Sequence, residues 1–142
     1  MKYYIATDHA GFAIKKDVIN ILQSLGHEVE DLGPSSKTRV DYPDYAHLLC
    51  SKVLEDSGSF GVLICGTGIG MSLAANRHKG IRAALVHDSY TAKMAREHND
   101  ANVICFGQRV VGVGVIESIL ESWSKSEFLG SRHTKRVEKI EL

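Results

Sequence analysis

The sequence predicts an α/β fold, a three-layer, Rossmann-like domain around a parallel sheet of about five strands. Short apolar runs alternate with longer amphipathic segments along the 142 residues. Most of the runs are too uniformly apolar to face water on one side, which is typical of a buried parallel sheet. Strands and helices that alternate in this way form right-handed βαβ units with helices on both faces of the sheet. We therefore expect a single domain over residues 1–142.

Five apolar runs are the predicted strands. They are YYIA (3–6), EVEDL (28–32), GVLIC (61–65), IRAALV (81–86) and NVICF (102–106). Their short length and apolar character favour strands over buried helices.

Five helices are predicted between and after these strands. The first, second and fifth have apolar residues on one face, at 14, 18, 21, 22 and 25, at 46, 49, 50 and 53, and at 116, 119, 120 and 123. Gly26 is a stop signal for the first, and Pro43 suits the first turn of the second. The third is expected to begin in a glycine-rich loop and run towards Asn76. The fourth should span roughly 89–98, with Ser89 as its N-cap.

Two further segments are notable. The loop LGPSSKTRVDYPDYA (32–46) is long for a compact domain, and such loops often border a site. The tail GSRHTKRVEKIEL (130–142) is predicted to form a final charged helix. Because the tail has few apolar residues, we expect it to anchor poorly on its own subunit.

Composition argues against several classes of protein. The 17 basic residues balance 17 acidic ones, so no electrostatic footprint for nucleic acid or an anionic membrane is expected. The opening MKYYIATDHAG resembles neither a signal peptide nor a membrane span, and a cytoplasmic protein is expected. The three cysteines include no C-x-x-C pair, which argues against a disulfide framework or a structural zinc site.

Polar residues follow the predicted strands. Ligands bind at the carboxyl ends of the strands in an open parallel sheet, so these residues indicate a site. They are Asp8 and His9 after the first strand, Cys65 and the loop GTGIG after the third, His87 and Asp88 after the fourth, and Gly107, Gln108 and Arg109 after the fifth.

The loop Gly66, Thr67, Gly68, Ile69 and Gly70 approaches the dinucleotide fingerprint G-x-G-x-x-G. Met71 stands where its third glycine belongs, although Asp88 lies near the position of a ribose-binding acid. Three interpretations remain: a nucleotide site, a merely tight turn, or a cradle whose free N–H groups bind an anion.

Cys65 borders this loop. The positive end of a helix favours thiolate over thiol, and a thiolate can attack a carbonyl or remove a proton. The alternative is a buried structural thiol, which is what we expect of Cys50 and Cys105.

Basic residues indicate an anionic substrate. Arg132 and Arg136 are four residues apart on the tail helix, so their guanidinium groups project from one face and suit a phosphate, unless that face is only solvated. His98 ends the fourth helix, where the dipole favours its cation and a proton-donor role, unless it is only a cap. His27, His47 and His78 are expected to face solvent. No clustered histidine motif predicts a metal.

Six segments together resemble ribose-5-phosphate isomerase type B, within a wider family that includes allose-6-phosphate and galactose-6-phosphate isomerases. They are TDHAG (7–11), DYPDYA (41–46), CGTGIGMSLAAN (65–76), REHNDANV (96–103), FGQRVVG (106–112) and GSRHTKRV (130–137). The resemblance covers nearly the whole chain.

The resemblance implies an aldose–ketose isomerase that needs no metal or other cofactor and acts through a cis-enediolate. It makes Cys65 the base that moves a proton between C2 and C1 of ribose 5-phosphate. Thr67 would orient the thiol, and the amides of residues 66–70 would hold the enediolate oxygen. His98 matches the acid/base that opens the sugar ring.

It also implies the rest of the pocket. Asp8 and His9 would grip the sugar, Arg132 and Arg136 would clamp the phosphate, and Asn99 and Arg109 would complete the site. The partner subunit would supply Arg109 and the segment around His98. A homodimer or tetramer with a shared site is implied, and the tail helix would reach the partner.

The residues leave the substrate open, because one extra carbon is a discrimination of only about 1 to 3 kcal/mol. Allose 6-phosphate or galactose 6-phosphate is therefore an alternative substrate. Two other classes also remain: a nucleotide-binding module of the same fold, and a hydrolase or acyl transferase with Cys65 as nucleophile. The last predicts a histidine close to the sulfur.

Overall fold

A computed structural model describes all 142 residues as five parallel strands and six helices. In chain order they are β1 (Lys2–Thr7), α1 (Phe12–Ser24), β2 (Glu28–Asp31), α2 (Tyr42–Glu55), β3 (Phe60–Cys65), α3 (Ile69–Ala75), β4 (Ala83–Leu85), α4 (Ser89–Glu97), β5 (Val103–Gly107), α5 (Val113–Lys125) and α6 (Arg132–Glu138). Every predicted strand and helix is present. No helix has both the length and the apolar character needed to cross a membrane.

The order of the strands creates a crevice at one edge of the sheet. The order is β2-β1-β3-β5-β4, and all neighbouring pairs are parallel. The chain leaves β1 for β2 on one side and then returns past β1 to β3 on the other. The connections that follow β1 and β3 therefore diverge, and their carboxyl ends border the position where ligands bind in open α/β sheets.

Helices cover both faces of the sheet, which confirms the three-layer prediction. One core packs apolar residues of α1, α4 and α5 against the sheet and includes the fully buried Phe106 and Ile116. The other core lies beneath α2 and α3 and includes Leu49 and Met71. Burial of β1, β3 and β5 on both faces explains why their runs in the sequence are continuously apolar, whereas the edge strand β2 is largely exposed.

Most strand ends differ from prediction by one residue, and three further differences are larger or concern a cap. The N-cap of α4 is Asp88, whose Oδ1 accepts a hydrogen bond from Thr91 N at 2.7 Å, so the prediction of Ser89 was wrong. A carboxylate caps a helix at least as well as a hydroxyl. The long loop is shorter than predicted because α2 begins at Tyr42. Strand β4 has only three residues.

The tail is held on its own chain at a few points only, and most of its side chains are exposed. His133 of α6 is buried, and Leu129 N donates to Glu97 O at 3.0 Å. Near the end of the chain, Glu141 accepts hydrogen bonds from Gly80 N and from Arg82. The anchors are one buried ring and polar contacts, which a count of apolar residues does not detect. Contact of α6 with a partner stays a prediction.

Candidate active site

The predicted cluster of polar strand ends forms one cleft. It is an open cleft of about 460 Å³ at the carboxyl edge of the sheet, where β1, β3 and β5 end. Its lining residues are Asp8, His9, Ala10, Tyr42, Cys65, Gly66, Thr67, Ile69, Gly70, Leu73 and Arg109. The cleft thus includes eight of the predicted site residues, Arg109 among them.

Cys65 is the last residue of β3 and lies in the floor of the cleft with only 5% of its surface exposed. Its Sγ accepts a hydrogen bond from Gly68 N at 3.1 Å. This hydrogen bond fixes the position of the sulfur in the cleft. No histidine donates to or accepts from this sulfur, unlike the arrangement predicted for a nucleophilic hydrolase.

The other two cysteines lie deeper. Burial raises the pKa of Cys50 to about 12. Burial, together with the neighbouring Cys50 and Cys65, raises the pKa of Cys105 well above its ordinary value. Both therefore stay protonated and inert near neutral pH, as expected for structural thiols.

The glycine loop presents free amide groups to the cleft. The N–H groups of Gly66, Thr67 and Gly70 donate to no atom of the chain. Those of Gly68 and Ile69 are occupied by Cys65 Sγ and by Thr67 Oγ1. The expectation that all five amides hold an oxyanion is thus wrong for these two, and three remain available.

The Thr67 side chain makes a different hydrogen bond from the one expected. Its Oγ1 accepts a hydrogen bond from Ile69 N at 3.2 Å, and it makes no hydrogen bond to Cys65. The Gly68 amide, not the Thr67 hydroxyl, fixes the thiol in this structure. The Thr67 hydroxyl proton stays free to donate to a bound ligand.

Two glycines let the loop pack against the end of β5. Gly68 has φ +80°, and a Cβ there would lie 2.7 Å from Leu85 Cδ1 and 2.8 Å from the backbone of Phe106. A Cβ on Gly107 would lie 2.5 Å from Gly66 O. Only glycine permits both the positive φ and the close approach of backbone to backbone. The loop therefore has its shape because of these residues.

Sequence reasoning missed three lining residues, Ala10, Tyr42 and Leu73, of which Tyr42 has the largest side chain. Its ring packs over the glycine loop, since a Cβ on Gly70 would lie 2.6 Å from Tyr42 Cε1. Tyr42 lies within the DYPDYA segment and at the end of the loop expected to border a site. Its position just before Pro43, at a helix start, could have identified it as a side chain held at the rim.

Asp8 and His9 follow β1 and lie beside the end of β3, where Asp8 N donates to Ile64 O at 3.2 Å. Asp8 Oδ1 accepts hydrogen bonds from Ala10 N at 2.9 Å and from Gly11 N at 3.1 Å, which closes the turn after β1. Asp8 Oδ2 accepts none from the chain. His9 Nδ1 accepts from Val40 N at 3.4 Å. This bond favours the tautomer with hydrogen on Nε2, which leaves a donor for a ligand hydroxyl or phosphate.

Arg109 lies in the cleft of its own chain. It follows β5, its backbone N donates to Gly66 O at 3.1 Å, and its side chain packs beside Gly66. This differs from the expectation that a partner subunit supplies Arg109. The reason is that β3 and β5 are neighbours in the sheet, so their carboxyl ends bring Cys65 and Arg109 together.

The remaining predicted residues form a second cluster. The rings of His98 and His133 stack with centroids 4.2 Å apart and planes 15° apart. Burial lowers the pKa of His133, and the neighbouring His98, Arg132 and Arg136 lower it further. Asn99 is exposed beside them. We call these five residues, His98, Asn99, Arg132, His133 and Arg136, the cationic cluster.

The cationic cluster lies at the opposite edge of the sheet from Cys65. Helix α4 begins after the carboxyl end of β4 and runs back, so His98 precedes the amino end of β5. The five residues of β5 span about 16 Å between these edges. None of the cluster residues lines the cleft. A single chain therefore does not bring His98 to Cys65.

No group of three or more His, Cys, Asp or Glu side chains is placed to hold a metal ion. His47 and His78 do approach each other, with Nδ1 of His47 and Nε2 of His78 2.7 Å apart, but they lie outside the cleft.

His27 packs its ring against Tyr3 instead of facing solvent, which corrects one expectation. Met71 is fully buried in the core, so the position of the missing third glycine is not a ligand-facing one.

Comparisons with known proteins identify the family of the chain. The sequence profile of a family described as "Ribose/Galactose Isomerase" matches residues 3–140. The chain is 42% identical to "Ribose-5-phosphate isomerase B" of Escherichia coli strain K12, covering 98% of this chain and 93% of that protein. It is 46% identical to a sugar phosphate isomerase homologue of Bacillus subtilis strain 168, covering 99% and 95%.

The fold agrees as well. The crystal structure of a ribose 5-phosphate isomerase from Thermotoga maritima superposes with a TM-score of 0.95 at 45% identity, covering 99% of this chain and 97% of that one. The structure of the type B ribose 5-phosphate isomerase of Trypanosoma brucei gives a TM-score of 0.93 at 46% identity, covering 98% and 95%.

Proposed function

The chain belongs to the ribose/galactose isomerase family, and we propose that it interconverts ribose 5-phosphate and ribulose 5-phosphate through a cis-enediolate. It is a sugar phosphate isomerase of the ribose-5-phosphate isomerase B type. The observation that carries the mechanism is the placement of the Cys65 thiol beside free loop amides in a cleft of sugar size. Its three free cysteines suit a cytoplasmic enzyme.

The proton transfer follows from this geometry. The Cys65 thiolate removes the proton from C2 of the open-chain aldose, and the electron pair moves so that C1 and C2 become joined by a double bond. Negative charge develops on the oxygen of C1, where the free amides of the loop stabilise it. The Cys65 thiol then gives the proton to C1, and the proton of the C2 hydroxyl moves to the negatively charged oxygen of C1 as the ketone forms at C2.

The remaining steps need the cationic cluster of a second subunit. Ribose 5-phosphate is mostly cyclic. His98 donates a proton to the ring oxygen as its bond to C1 breaks, and the hydroxyl on C1 loses its proton to solvent as the aldehyde forms. Because His98 and Cys65 lie at opposite edges of one sheet, we propose that the amino edge of one subunit meets the carboxyl edge of another. The enzyme would then be a homodimer, or a tetramer built of such dimers, with the active site shared.

The basic side chains account for the phosphate. Arg132 and Arg136 project from one face of α6, and a phosphate between them would relieve their mutual repulsion. The free Nε2 of His9 and the Arg109 guanidinium supply further donors from the cleft. Asp8 Oδ2 is left to accept from a sugar hydroxyl.

The test follows ketose formation and deuterium incorporation from ribose 5-phosphate in deuterated buffer that contains EDTA. The native chain is expected to form ribulose 5-phosphate, and Cys65→Ala is expected to lose at least about a thousandfold in kcat. Cys50→Ala is the matched control, because it removes a thiol that lies outside the cleft. Equal activity of native and Cys65→Ala protein would refute the role of the thiol.

The same assay addresses the substrate. A native chain that converts allose 6-phosphate or galactose 6-phosphate but not ribose 5-phosphate would keep the mechanism and change the substrate. Inactivity on all three sugars would refute the proposed function. Identity to relatives named ribose-5-phosphate isomerase B supports the pentose.

A further inference from the structure

The turn after α4 has an unusual backbone next to the proposed ring-opening residue. Asp100 has φ 47° and is one of two residues other than glycine with positive φ. It directly follows His98 and Asn99. A left-handed conformation is disfavoured for residues with a side chain, so it persists only where surrounding contacts impose it.

Backbone hydrogen bonds at the end of α4 give Asp100 the left-handed conformation typical of a helix C-terminus, with Asp100 N donating to Arg96 O at 3.3 Å and Ala101 N to Ala95 O at 3.0 Å. Two arginines then hold the turn in place. Arg96 Nη1 donates to Asp100 Oδ1 at 3.0 Å and to Ala101 O at 2.7 Å. Arg82 Nε donates to Asn99 O at 3.2 Å and to Asp100 O at 2.9 Å, and its Nη2 lies 3.3 Å from Asp100 Oδ2. Each carbonyl from 99 to 101 therefore accepts from a guanidinium group. The fork of arginine donors suits this arrangement, which lysine could not reproduce.

Both arginines are fixed by neighbouring elements. The Arg96 guanidinium is buried and lies 4.7 Å from the Phe60 ring centroid and 5.7 Å from that of Trp123. Arg82 stands just before β4, and its Nη1 lies 3.5 Å from Glu141 Oε1. The turn is thus tied to the sheet through Arg82 and to the core through Arg96.

We propose that Arg82, acting through Asp100, is a positioning residue for the ring-opening step. It sets the direction in which the turn presents His98 and Asn99 to a bound sugar. This inference rests on the proposed function. Arg82 does not line the Cys65 cleft, so its loss is expected to impair ring opening while the proton transfer at Cys65 continues.

Two substrates separate these steps. Ribose 5-phosphate must be opened before it reacts, whereas ribulose 5-phosphate has its C5 oxygen phosphorylated and cannot form a furanose ring. Exchange of deuterium into C1 of ribulose 5-phosphate therefore needs the Cys65 step alone. In Arg82→Ala, isomerisation of ribose 5-phosphate is expected to fall about tenfold to a hundredfold, with exchange retained within about threefold. Retained exchange also shows that the protein is folded.

Matched variants complete the experiment. Arg77→Ala removes a nearby exposed arginine that makes no salt bridge, and both rates should stay native. Asp100→Gly tolerates the positive φ but lacks the carboxylate, and it should show the same split as Arg82→Ala. If Arg82→Ala does not fold, the Asp100→Gly variant tests whether the turn positions the ring-opening residue.

The reference is His98→Asn, which should lose isomerisation of ribose 5-phosphate and keep deuterium exchange into ribulose 5-phosphate. With an active native protein and this reference, the inference about Arg82 alone would be overturned by either of two results in Arg82→Ala and Asp100→Gly: unchanged isomerisation, or an equal fall in isomerisation and exchange. A native chain that does not isomerise ribose 5-phosphate would overturn the proposed function, and this inference with it.

Discussion

Local environment gives identical side chains different chemistry in this protein. Three cysteines lie in or beside one core, yet only Cys65 reaches the cleft and accepts a hydrogen bond from a loop amide. Burial keeps the Cys50 and Cys105 thiols protonated by raising the pKa of each. The position of a thiol at the carboxyl end of a strand therefore decides its role.

His133 is expected to make stability depend on pH. Burial, then the neighbouring His98, Arg132 and Arg136, hold its pKa below the ordinary value of 6.5. Around and below that pH the unfolded chain binds more protons at this residue than the folded chain does, so stability falls as the pH decreases. The free energy of unfolding in urea, in buffers without phosphate, should fall less in His133→Gln than in native protein between about pH 7.5 and about pH 5.5.

The control for this measurement is His87→Gln, since His87 is exposed. It should keep the native dependence on pH. An equal loss of stability in native and His133→Gln protein would show that His133 does not cause the effect. His27 and His78 also have lowered pKa values because of burial, so part of the native dependence should persist in the variant.

At the scale of elements, the glycine loop is expected to be sensitive to single methyl groups. Gly68→Ala combines a positive φ with close contacts to Leu85 and Phe106, so it should destabilise the protein by about 2 to 4 kcal/mol. Gly114→Ala, in the first turn of α5, meets no atom within 4 Å and should leave stability unchanged or raise it by up to about 1 kcal/mol. Urea unfolding measures both. Native stability in Gly68→Ala would contradict the packing described for the loop.

The elements were largely predictable because their signals are local. Continuous apolar runs mark the strands, and apolar residues at helical spacing mark the helices. The prediction of the α4 N-cap was wrong because Asp88 and Ser89 are both good capping residues, and only the backbone geometry distinguishes them. The anchoring of α6 depends on the burial of His133 against His98, which no spacing encodes.

The site was predictable in part for the same reason. Residues that follow strands on the carboxyl edge, such as Asp8 and Cys65, meet in the cleft as expected. The placement of Arg109 depends on β5 lying next to β3, and the strand order cannot be obtained from the apolar pattern. The apolar pattern also does not show which loop amides already donate a hydrogen bond within the chain. The Gly68 amide, for example, donates to the Cys65 sulfur.

At the scale of the whole molecule, one chain carries two halves of the proposed site at opposite edges of its sheet. The carboxyl edge holds the Cys65 cleft, and the amino edge holds the cationic cluster with His98. A closed homodimer of two-fold symmetry would join each cleft to the cluster of the other subunit and would form two equivalent sites. We propose that catalysis requires this pairing of the Cys65 cleft of one subunit with the cationic cluster of the other.

The most direct test mixes two inactive proteins. Cys65→Ala lacks the base but keeps His98, and His98→Asn keeps the base but lacks the ring-opening acid. In a hybrid dimer, one site carries both defects and the other carries neither. Random reassociation of equal amounts makes half of the dimers hybrid, so about one quarter of native ribose 5-phosphate isomerisation should return. No recovery, although hybrid dimers form, would contradict a site shared between subunits.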